Sequence, residues 1–409
     1  MLTIIDIIYF ITLFCLSYFT FFFLLLWYEN KDSNGKASGK NKKMPSLTIL
    51  IPVYNEEKII GKVLKHLRKI SYPKNKLKII VIDDGSKDKT YEIAKKYESS
   101  NLKVLTKPNT GKAGALNFGL KHVRTEYVAV MDGDTFLNKN SLRNCVKYFD
   151  DENVAAVTSH ILVKNKKRIW GKLQNIELML IALVRKAMEK MNIIYATPGP
   201  LSIYKTKILL KVGKFDEKNL VEDVEIAWRL LKKGYKIKMA FDSIVHSVYP
   251  ENFGNWWRQR IRWGIGGIQT FFKYFDCFFR KECHGVGNFL IPTSFLTYSF
   301  LLIGVGVFLF QGIKWLFSNM VYLAKSLLMG MNPFVRIDIF YMIDVRLVYG
   351  LLMFVVSLYL IKLTLSTHKE KMNVPNLILF LIIYSILTPL ITLYSIYKYT
   401  RKEIGWLTK

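Results

Sequence analysis

At 409 residues the chain is too long for one small domain, and its hydrophobic residues, 51% of the total, are concentrated in runs at both ends. Its 60 Lys and Arg residues outnumber 31 Asp and Glu residues, so the formal net charge is +29. This charge predicts an anionic partner: nucleic acid, anionic lipid headgroups or nucleotide phosphates. The spacing of Cys15, Cys145, Cys277 and Cys283 excludes a zinc site and a disulfide framework, and it indicates a reducing compartment for the middle of the chain.

The first predicted element is a membrane-spanning helix at Leu2–Tyr28, in which Asp6 is the only charged residue. About 20 apolar residues are enough to cross a bilayer. The basic start and the cleavage site of a signal peptide are not evident, so we expect this helix, residues 1–28, to be retained. A basic linker at 29–45 contains Lys31–Lys43. Because basic loops tend to stay in the cytoplasm, the following domain is predicted to be cytoplasmic.

Residues 46–250 are predicted to form an α/β domain, because short apolar runs alternate with helical patterns. The alternation favours a parallel sheet with helices on both sides, whose ligands bind beyond the carboxyl ends of the strands. The predicted strands are Leu47–Val53, Leu77–Ile82, Leu102–Leu105 and Tyr127–Met131. The predicted helices are Glu57–Lys69, Asp88–Ser99 and Lys112–Val123.

Polar clusters follow three of these strands: Tyr54-Asn55-Glu56, Asp83-Asp84-Gly85-Ser86 and Asp132-Gly133-Asp134. In the third cluster, two carboxylates separated by one glycine can hold a hard divalent cation that also binds phosphate oxygens. A polar turn that ends the strand is the alternative, and this motif alone would favour it. In the second cluster a carboxylate can accept hydrogen bonds from a base or a ribose, or it can cap the next helix.

Two later segments add a cation and a further carboxylate pair. Asn109–Ala115 opens a helix with two glycines and Lys112, and backbone N–H groups at a helix start favour an anion, although the segment is not a Walker A loop. Glu222 and Asp223 precede the amphipathic helix Val224–Leu231. A carboxylate there can accept a proton from an incoming hydroxyl, and its apolar neighbours would raise its pKa. The alternatives are a simple loop and a helix-start acid.

Residues 251–285 are predicted to form amphipathic interface helices. Asn252–Gln269 contains three Trp, three Arg and no acidic residue, and Gln259, Arg262 and Trp263 share one face of a helix. Arg suits phosphate oxygens, and Trp suits the C–H face of a sugar ring. A helix that lies on the membrane surface is the alternative. Cys277 and Cys283 are interpreted as structural rather than metal-binding residues.

The C-terminal region, residues 286–409, is predicted to contain three or four membrane-spanning helices. Phe289–Gln311, Leu347–Leu365 and Asn376–Tyr397 are good candidates, whereas Trp315–Met331 is interrupted by Lys325 and could span, re-enter or lie at the interface. Four late spans, five in all, would place the basic tail on the same side as the α/β domain, as the charge rule prefers. That tail contains Lys398, Arg401, Lys402 and Lys409.

Four of these motifs, taken in order, resemble those of the membrane-integrated family 2 glycosyltransferases, which include the synthases of cellulose, hyaluronan and poly-N-acetylglucosamine. The resemblance covers about Ser46–Gln269. It implies a GT-A fold, a Rossmann-like nucleotide-sugar domain, a requirement for Mg²⁺ or Mn²⁺, and inversion at the anomeric carbon. The motifs are Asp83-Asp84, Asp132-Gly133-Asp134, Glu222-Asp223 and Gln259-Arg260-Ile261-Arg262-Trp263.

On the donor side, the resemblance implies that Asp84 contacts the uracil of UDP and that Asp132 and Asp134 hold the metal on the diphosphate. Gln259 and Arg262 would face the diphosphate. Lys112, which the helix-start argument places near the nucleotide, is a further candidate donor contact.

On the acceptor side, the resemblance implies that Asp223 is the general base and that Trp263 contacts the acceptor sugar. Gly199, within Thr197–Leu201, would line the acceptor site. Val221 stands where members of the family often have Thr or Ile, which leaves the base in place.

The expected function is extension of a β-linked polysaccharide from UDP-N-acetylglucosamine or UDP-glucose, with membrane lipids around the spanning helices and a glycan or lipid-linked acceptor. Five spans could wall a small channel. One alternative is transfer of a single sugar to a polyprenyl phosphate or another lipid. The other is a non-enzymatic basic membrane protein that binds anionic lipid or nucleic acid. The ordered Asp motifs argue against this last alternative, so no nucleic acid partner is expected.

Overall fold

The computed structural model describes residues 4–30, 44–330, 345–368 and 373–403. The basic stretch Lys31–Lys43 and the end of the basic tail, including Lys409, lie outside the described residues. The chain divides into two compact units. One consists of Met1–Phe22 and Ser294–Leu381, and the other consists of Phe23–Thr293 and Ile382–Lys409. We call the second the catalytic unit.

The described residues of the catalytic unit form one eight-stranded sheet with helices between its strands. The strands are β1 (Leu47–Val53), β2 (Leu77–Asp83), β3 (Leu102–Thr106), β4 (Tyr127–Val130), β5 (Thr135–Leu137), β6 (Val154–Val163), β7 (Ser202–Lys205) and β8 (Lys236–Ser247). The helices are α2 (Ile60–Leu67), α3 (Thr90–Lys95), α4 (Gly111–Leu120), α5 (Ser141–Val146), α6 (Ile169–Glu189), α7 (Thr206–Lys211), α8 (Glu222–Lys232) and α9 (Phe253–Lys273). The four predicted strands and the three predicted helices of the α/β domain are confirmed, with shorter helices than expected.

The sheet is mixed, with strand order β3-β2-β1-β4-β7-β6-β8-β5. Strands β3, β2, β1 and β4 are parallel. The apolar runs of β1, β2 and β4 are largely buried as the pattern predicted, whereas the edge strand β3 exposes Lys103 and Thr106. The prediction of a parallel sheet is wrong beyond β4, because β7 runs antiparallel to β4 and β6. In this register Ser202 at the start of β7 lies opposite Val130 at the end of β4. The loop before β7 therefore meets the loop after β4.

Helix α9 belongs to the catalytic unit and packs against the end of the last helix, α12 (Val374–Thr400). Trp256, Ile261 and Ile265 form a small core with Leu220 and Ile391. The two helices approach closely, since a Cβ atom built on Gly264 would lie 2.3 Å from the Ser395 hydroxyl oxygen. The predicted boundary at residue 286 assigns α9 and α12 to different regions, whereas α9 and the end of α12 share one compact unit. The buried face of α9 is covered by this chain's own residues rather than by lipid.

Three helices in the described part of the chain are long and apolar enough to cross a membrane: Val286–Leu328, Tyr349–Thr367 and Val374–Thr400. The segments Phe289–Gln311 and Trp315–Met331, predicted as separate spans, are joined in the 38-residue helix α10 (Ile291–Leu328). The preference for a fourth late span is wrong for these residues, because Gly312 and Lys314 lie inside the helix and do not interrupt it.

The other three apolar helices coincide with predicted membrane-spanning segments. Helix α11 (Val345–Thr367) covers the second predicted late span, and α12 covers the third. The N-terminal helix α1 spans Ile4–Asn30, with a shorter apolar stretch at Phe10–Leu26. Within the first unit, the Tyr349 hydroxyl of α11 donates to the Leu13 carbonyl of α1 at 2.7 Å.

A disulfide joins Cys277 and Cys283, whose Cα atoms are 5.7 Å apart, so the expectation of no disulfide is wrong. The two cysteines are six residues apart, and each ends a short helical turn, Phe275–Cys277 or Lys281–Cys283. Gly287 lies against this fold, since a Cβ atom there would be 2.5 Å from the Cys277 carbonyl oxygen. The local backbone, which the spacing of the cysteines does not report, brings the two thiols together.

Candidate active site

A lysine bridges two carboxylates where the loops after β4 and before α8 meet. Lys112 lies in the first turn of α4, and its Nζ is 2.7 Å from Asp132 Oδ1 and 3.0 Å from Glu222 Oε1. Glu222 is buried at the start of α8. We call Lys112, Asp132 and Glu222 the charged cluster. It joins the first turns of α4 and α8 to the loop after β4.

Gly199 closes one side of the charged cluster. Its carbonyl oxygen accepts a 3.1 Å hydrogen bond from the Asp132 N–H. A Cβ atom built on Gly199 would lie 2.2 Å from Lys112 Nζ and 2.5 Å from Asp132 Oδ1, which is closer than any side chain can approach. A side chain at position 199, in the loop before β7, would therefore displace Lys112 Nζ and Asp132 Oδ1 from their contact.

Asp223 follows Glu222 directly and is held by its backbone. The Thr197 N–H and hydroxyl donate to the Asp223 carbonyl oxygen at 3.1 Å and 2.9 Å, and the Tyr204 hydroxyl donates to Thr197 Oγ1 at 2.9 Å. Burial and the Glu222 carboxylate raise the pKa of Asp223 to about 6, against the opposing charges of Lys112 and Arg262. The shift has the direction predicted from the apolar neighbours. Asp223 is therefore ionised at neutral pH and is a stronger base than an ordinary aspartate.

The charges of the cluster keep Glu222 ionised while Asp223 carries the raised pKa. Burial alone would raise the pKa of Glu222, but Lys112 and Arg262 lower it. Burial alone would lower the pKa of Lys112, but the carboxylates of Asp132, Glu222 and Asp223 raise it above its ordinary value. Two neighbouring carboxylates thus differ in proton affinity. Sequence reasoning assigned no role to Glu222, because its partner Lys112 is distant along the chain.

Asp84 shapes the loop that leads to Lys112. Its carboxylate accepts hydrogen bonds from Lys107 Nζ at 2.8 Å, from the Thr110 N–H at 3.1 Å and from the Gly111 N–H at 2.8 Å. The next helix, α3, has Asp88 near its start instead, where the carboxylate accepts from the Thr90 N–H at 3.0 Å. Asp84 therefore fixes the start of α4, and its contact with uracil stays a prediction.

Asp132 and Asp134 lie in the turn between β4 and β5, where a cation was predicted. Asp134 Oδ1 accepts a 2.8 Å hydrogen bond from the Ser247 hydroxyl at the end of β8. Among the described residues, no group of three His, Cys, Asp or Glu residues could hold a metal ion without further ligands. The two carboxylates offer the hard oxygen atoms that Mg²⁺ and Mn²⁺ prefer, and diphosphate oxygens would complete the set. The donor set fits such an ion.

The predicted residues of α9 do not act as one free face. Arg262 faces the charged cluster, since its charge lowers the pKa of Glu222 and its Nη1 donates to the Leu220 carbonyl at 3.2 Å. Gln259 Oε1 accepts a 2.7 Å hydrogen bond from Arg260 Nη1. Trp263 packs partly against the core of the sheet, and the Arg260 guanidinium lies 4.2 Å from its ring centroid. Arg260 therefore holds both Gln259 and Trp263.

Arg260 is itself held by two residues that sequence reasoning missed. Its Nε donates to Glu177 Oε1 of α6 at 3.1 Å, and its Nη2 pairs with the other oxygen of the same carboxylate. The Tyr384 hydroxyl of α12 donates to Glu177 Oε2 at 2.8 Å. We call Arg260, Glu177 and Tyr384 the arginine clamp. Glu177 and Tyr384 lie in apolar helical stretches that carry no recognisable motif.

Comparison with known proteins identifies similar glycosyltransferases. Residues 48–213 match the model of a family described as "Glycosyl transferase family 2". A poly-beta-1,6-N-acetyl-D-glucosamine synthase of several Staphylococcus aureus strains is 31% identical over 246 residues. The alignment covers 59% of this chain and 59% of that relative, so the chain spans about three-fifths of its length. The Bacillus subtilis protein described as "Probable glycosyltransferase YdaM" is 27% identical over 389 residues, 89% of this chain and 86% of that protein.

A solved structure shows the same fold. The mannosyltransferase from Pyrobaculum calidifontis in complex with GDP-Man and Mn²⁺ superposes with a TM-score of 0.53 and 22% identity. The superposition covers 72% of this chain and 86% of that structure. The fold class predicted from the sequence, an α/β domain of the GT-A type flanked by apolar helices, is confirmed.

Proposed function

We propose that this chain, whose residues 48–213 match the family 2 glycosyltransferase model, extends a β-linked polysaccharide by transfer from a UDP-sugar. We propose N-acetylglucosamine as the transferred sugar, because the Staphylococcus aureus relative is named a poly-beta-1,6-N-acetyl-D-glucosamine synthase. UDP-glucose is the second donor to test. The observation that carries the proposal is a carboxylate with a pKa of about 6, Asp223, beside the charged cluster.

Asp223 is the proposed general base. It accepts the proton of the acceptor hydroxyl while the hydroxyl oxygen attacks the anomeric carbon. The bond from that carbon to the diphosphate breaks on the opposite face, and UDP leaves with the electron pair. One displacement of this kind converts an α-linked donor into a β-linked product. A base with a pKa of about 6 is ionised at pH 7 and still binds a proton strongly enough to help the attack.

Positive charge for the leaving diphosphate comes from Lys112 and Arg262. Negative charge develops on the leaving oxygen in the transition state, so fixed cations near it lower the barrier. The carboxylates of Asp132 and Glu222 hold the Lys112 ammonium in place at 2.7 and 3.0 Å. Asp132 and Asp134 are the residues that would hold Mg²⁺ or Mn²⁺ together with the diphosphate. When bound, the ion supplies further positive charge to the leaving group.

The apolar helices support a multi-pass membrane protein with a cytoplasmic catalytic unit. Three helices have the length and composition to cross a bilayer, and the basic stretch Lys31–Lys43 precedes the catalytic sheet. We place residues 46–285 in the catalytic unit, and α10, α11 and α12 in the membrane together with α1.

The decisive experiment is transfer of radiolabel by purified protein in liposomes, with UDP-N-acetylglucosamine or UDP-glucose and with Mg²⁺ or Mn²⁺. We expect label in a long product from the wild type and none from Asp223→Asn. A lipid-soluble product with a single sugar would contradict polysaccharide synthesis and favour transfer to a polyprenyl phosphate. Absence of transfer from every UDP-sugar would contradict the proposal as a whole.

A further inference from the structure

One buried arginine of the catalytic unit has two side-chain nitrogens without a hydrogen-bond partner among the described residues. Arg185 lies on α6 and is 1% exposed, yet neither its Nε nor its Nη1 has a hydrogen-bond partner among the described residues. A buried N–H group without an acceptor costs free energy in a folded protein. The two unsatisfied nitrogens of Arg185 are therefore free to bind a ligand that carries oxygen atoms.

The next residue along α6 shows that the helix can satisfy a buried cation. Lys186 is 5% exposed, and its Nζ donates to Glu189 Oε2 at 2.8 Å and to the Met239 carbonyl at 3.3 Å. The two neighbours have similar burial and the same charge, and they differ in whether the protein supplies acceptors. Burial on α6 is therefore not the reason that Arg185 lacks them.

The surroundings of Arg185 place it on the acceptor side of the site. The Tyr195 and Tyr249 hydroxyls and the Asp223 carboxylate are its electrostatic neighbours, although burial still lowers the pKa of the guanidinium. Tyr195 begins the loop that continues to Thr197, which binds the Asp223 backbone, and to Gly199, which touches Asp132. By contrast, the charges of Lys112 and Arg262 lower the pKa of Glu222 and oppose the rise in the pKa of Asp223.

We propose that Arg185, together with Tyr195 and Tyr249, binds the acceptor saccharide next to the base Asp223. A guanidinium has five N–H donors and no acceptor, so it suits a ligand rich in oxygen atoms, such as adjacent hydroxyls and the carbonyl of an acetamido group. Tyrosine rings offer flat apolar faces together with a polar edge, which suits a sugar ring. The oxygen atoms of the saccharide accept hydrogen bonds from the unsatisfied nitrogens of Arg185. These bonds hold the acceptor hydroxyl in position to lose its proton to Asp223. This inference rests on the proposed function.

The test compares Arg185→Met with the matched control Lys186→Met in the full chain in detergent. Arg185→Met removes two buried donors that have no acceptor, so it is expected to leave the melting temperature of the ligand-free protein unchanged or to raise it. Lys186→Met removes the ion pair with Glu189, which keeps only the hydrogen bond from the Met239 N–H, and it is expected to lower the melting temperature. Opposite effects from two adjacent buried cations would separate a ligand-binding role from a structural one.

Ligand binding is measured by calorimetry with two probes, UDP and a tetrasaccharide of β-1,6-linked N-acetylglucosamine. Arg185→Met is expected to weaken binding of the tetrasaccharide at least tenfold and to change the affinity for UDP less than twofold. Lys186→Met is expected to change neither affinity more than twofold. Arg185→Lys, which keeps the charge and loses the planar fork, should fall between Arg185→Met and the wild type.

The inference is overturned if Arg185→Met binds the tetrasaccharide as the wild type does, or if the wild type does not bind it. It is equally overturned if the affinity for UDP falls as much as that for the tetrasaccharide, or if Arg185→Met melts at a lower temperature like Lys186→Met. These measurements need no turnover. Arg185-dependent binding of the tetrasaccharide by a protein that transfers no sugar would refute the proposed function and leave this inference standing.

Discussion

The charged cluster and the arginine clamp are built in different ways. The charged cluster joins a loop residue, Asp132, to residues at the starts of two helices, and Asp132 and Lys112 remain partly accessible to a ligand. In the arginine clamp, Glu177 accepts from both Arg260 and Tyr384, and the Arg260 and Glu177 side chains are largely buried. The charged cluster thus keeps accessible charge, which we propose binds the substrate, whereas the arginine clamp contacts Gln259 and Trp263 through Arg260.

The largest effect is expected when the base beside the charged cluster is removed. Asp223→Asn should lower kcat on the order of a thousandfold, because general base catalysis contributes about 10²- to 10⁴-fold. The affinity for UDP should stay within twofold. The measurement is the initial rate at saturating donor, with Asp216→Asn, a partly buried aspartate paired with Lys273, as the control. A rate within tenfold of the wild type would show that Asp223 is not the base.

Loss of the central cation should affect both chemistry and stability. Lys112→Met is expected to lower kcat/KM about a hundredfold, since it removes charge from the leaving diphosphate. It also leaves the buried Glu222 unpaired, which should destabilise the fold by about 3 kcal/mol. The double variant Lys112→Met/Glu222→Gln should recover stability without recovering activity. If activity returns with stability, Lys112 has only a structural role.

A change in the arginine clamp should have a smaller effect on activity. Glu177→Gln keeps the shape of the side chain and removes its charge, so Arg260 loses its ion pair with Glu177. We expect about a tenfold loss in kcat/KM, together with a lower melting temperature. The affinity for UDP should change less than it does in Lys112→Met. A larger loss of activity than in Lys112→Met would reverse the comparison between the charged cluster and the arginine clamp.

The smallest effect is expected from the residue of α12 that completes the clamp. Tyr384→Phe removes one hydrogen bond to a charged group, which corresponds to about 1.5 kcal/mol. We expect a modest fall in the free energy of unfolding and at most a fewfold fall in kcat/KM. Tyr394→Phe, a change on the same helix at a half-exposed position, is the control. Equal effects from the two variants would show that the bond to Glu177 does not matter.

The same contrast explains how much could be predicted from the sequence. Strands β1, β2 and β4 appear as apolar runs because they are largely buried, and the acidic clusters that follow them point to the carboxyl edge of the sheet. Asp132 could therefore be named as a candidate, and its role stays a prediction. Asp223 lies at a helix start, and its raised pKa was anticipated from its apolar neighbours.

Features that depend on which residues face each other were not predictable. Arg260 and Glu177 are 83 residues apart, and Glu177 and Tyr384 are 207 residues apart, so no local pattern connects them. Local periodicity also does not report the direction of β7 or the partners of a buried side chain such as Arg185. The continuity of α10 was missed because a lysine interrupts an apolar run without interrupting the helix.

The most direct test of the central claim is the pH dependence of kcat/KM for the wild type and for Glu222→Gln. The wild-type rate should fall tenfold per pH unit below about pH 6, because protonation of Asp223 removes the base. Since Glu222 raises the pKa of Asp223, Glu222→Gln should move this fall to lower pH. A wild-type rate that falls only near pH 4, or a fall that stays at the same pH in Glu222→Gln, would contradict the account.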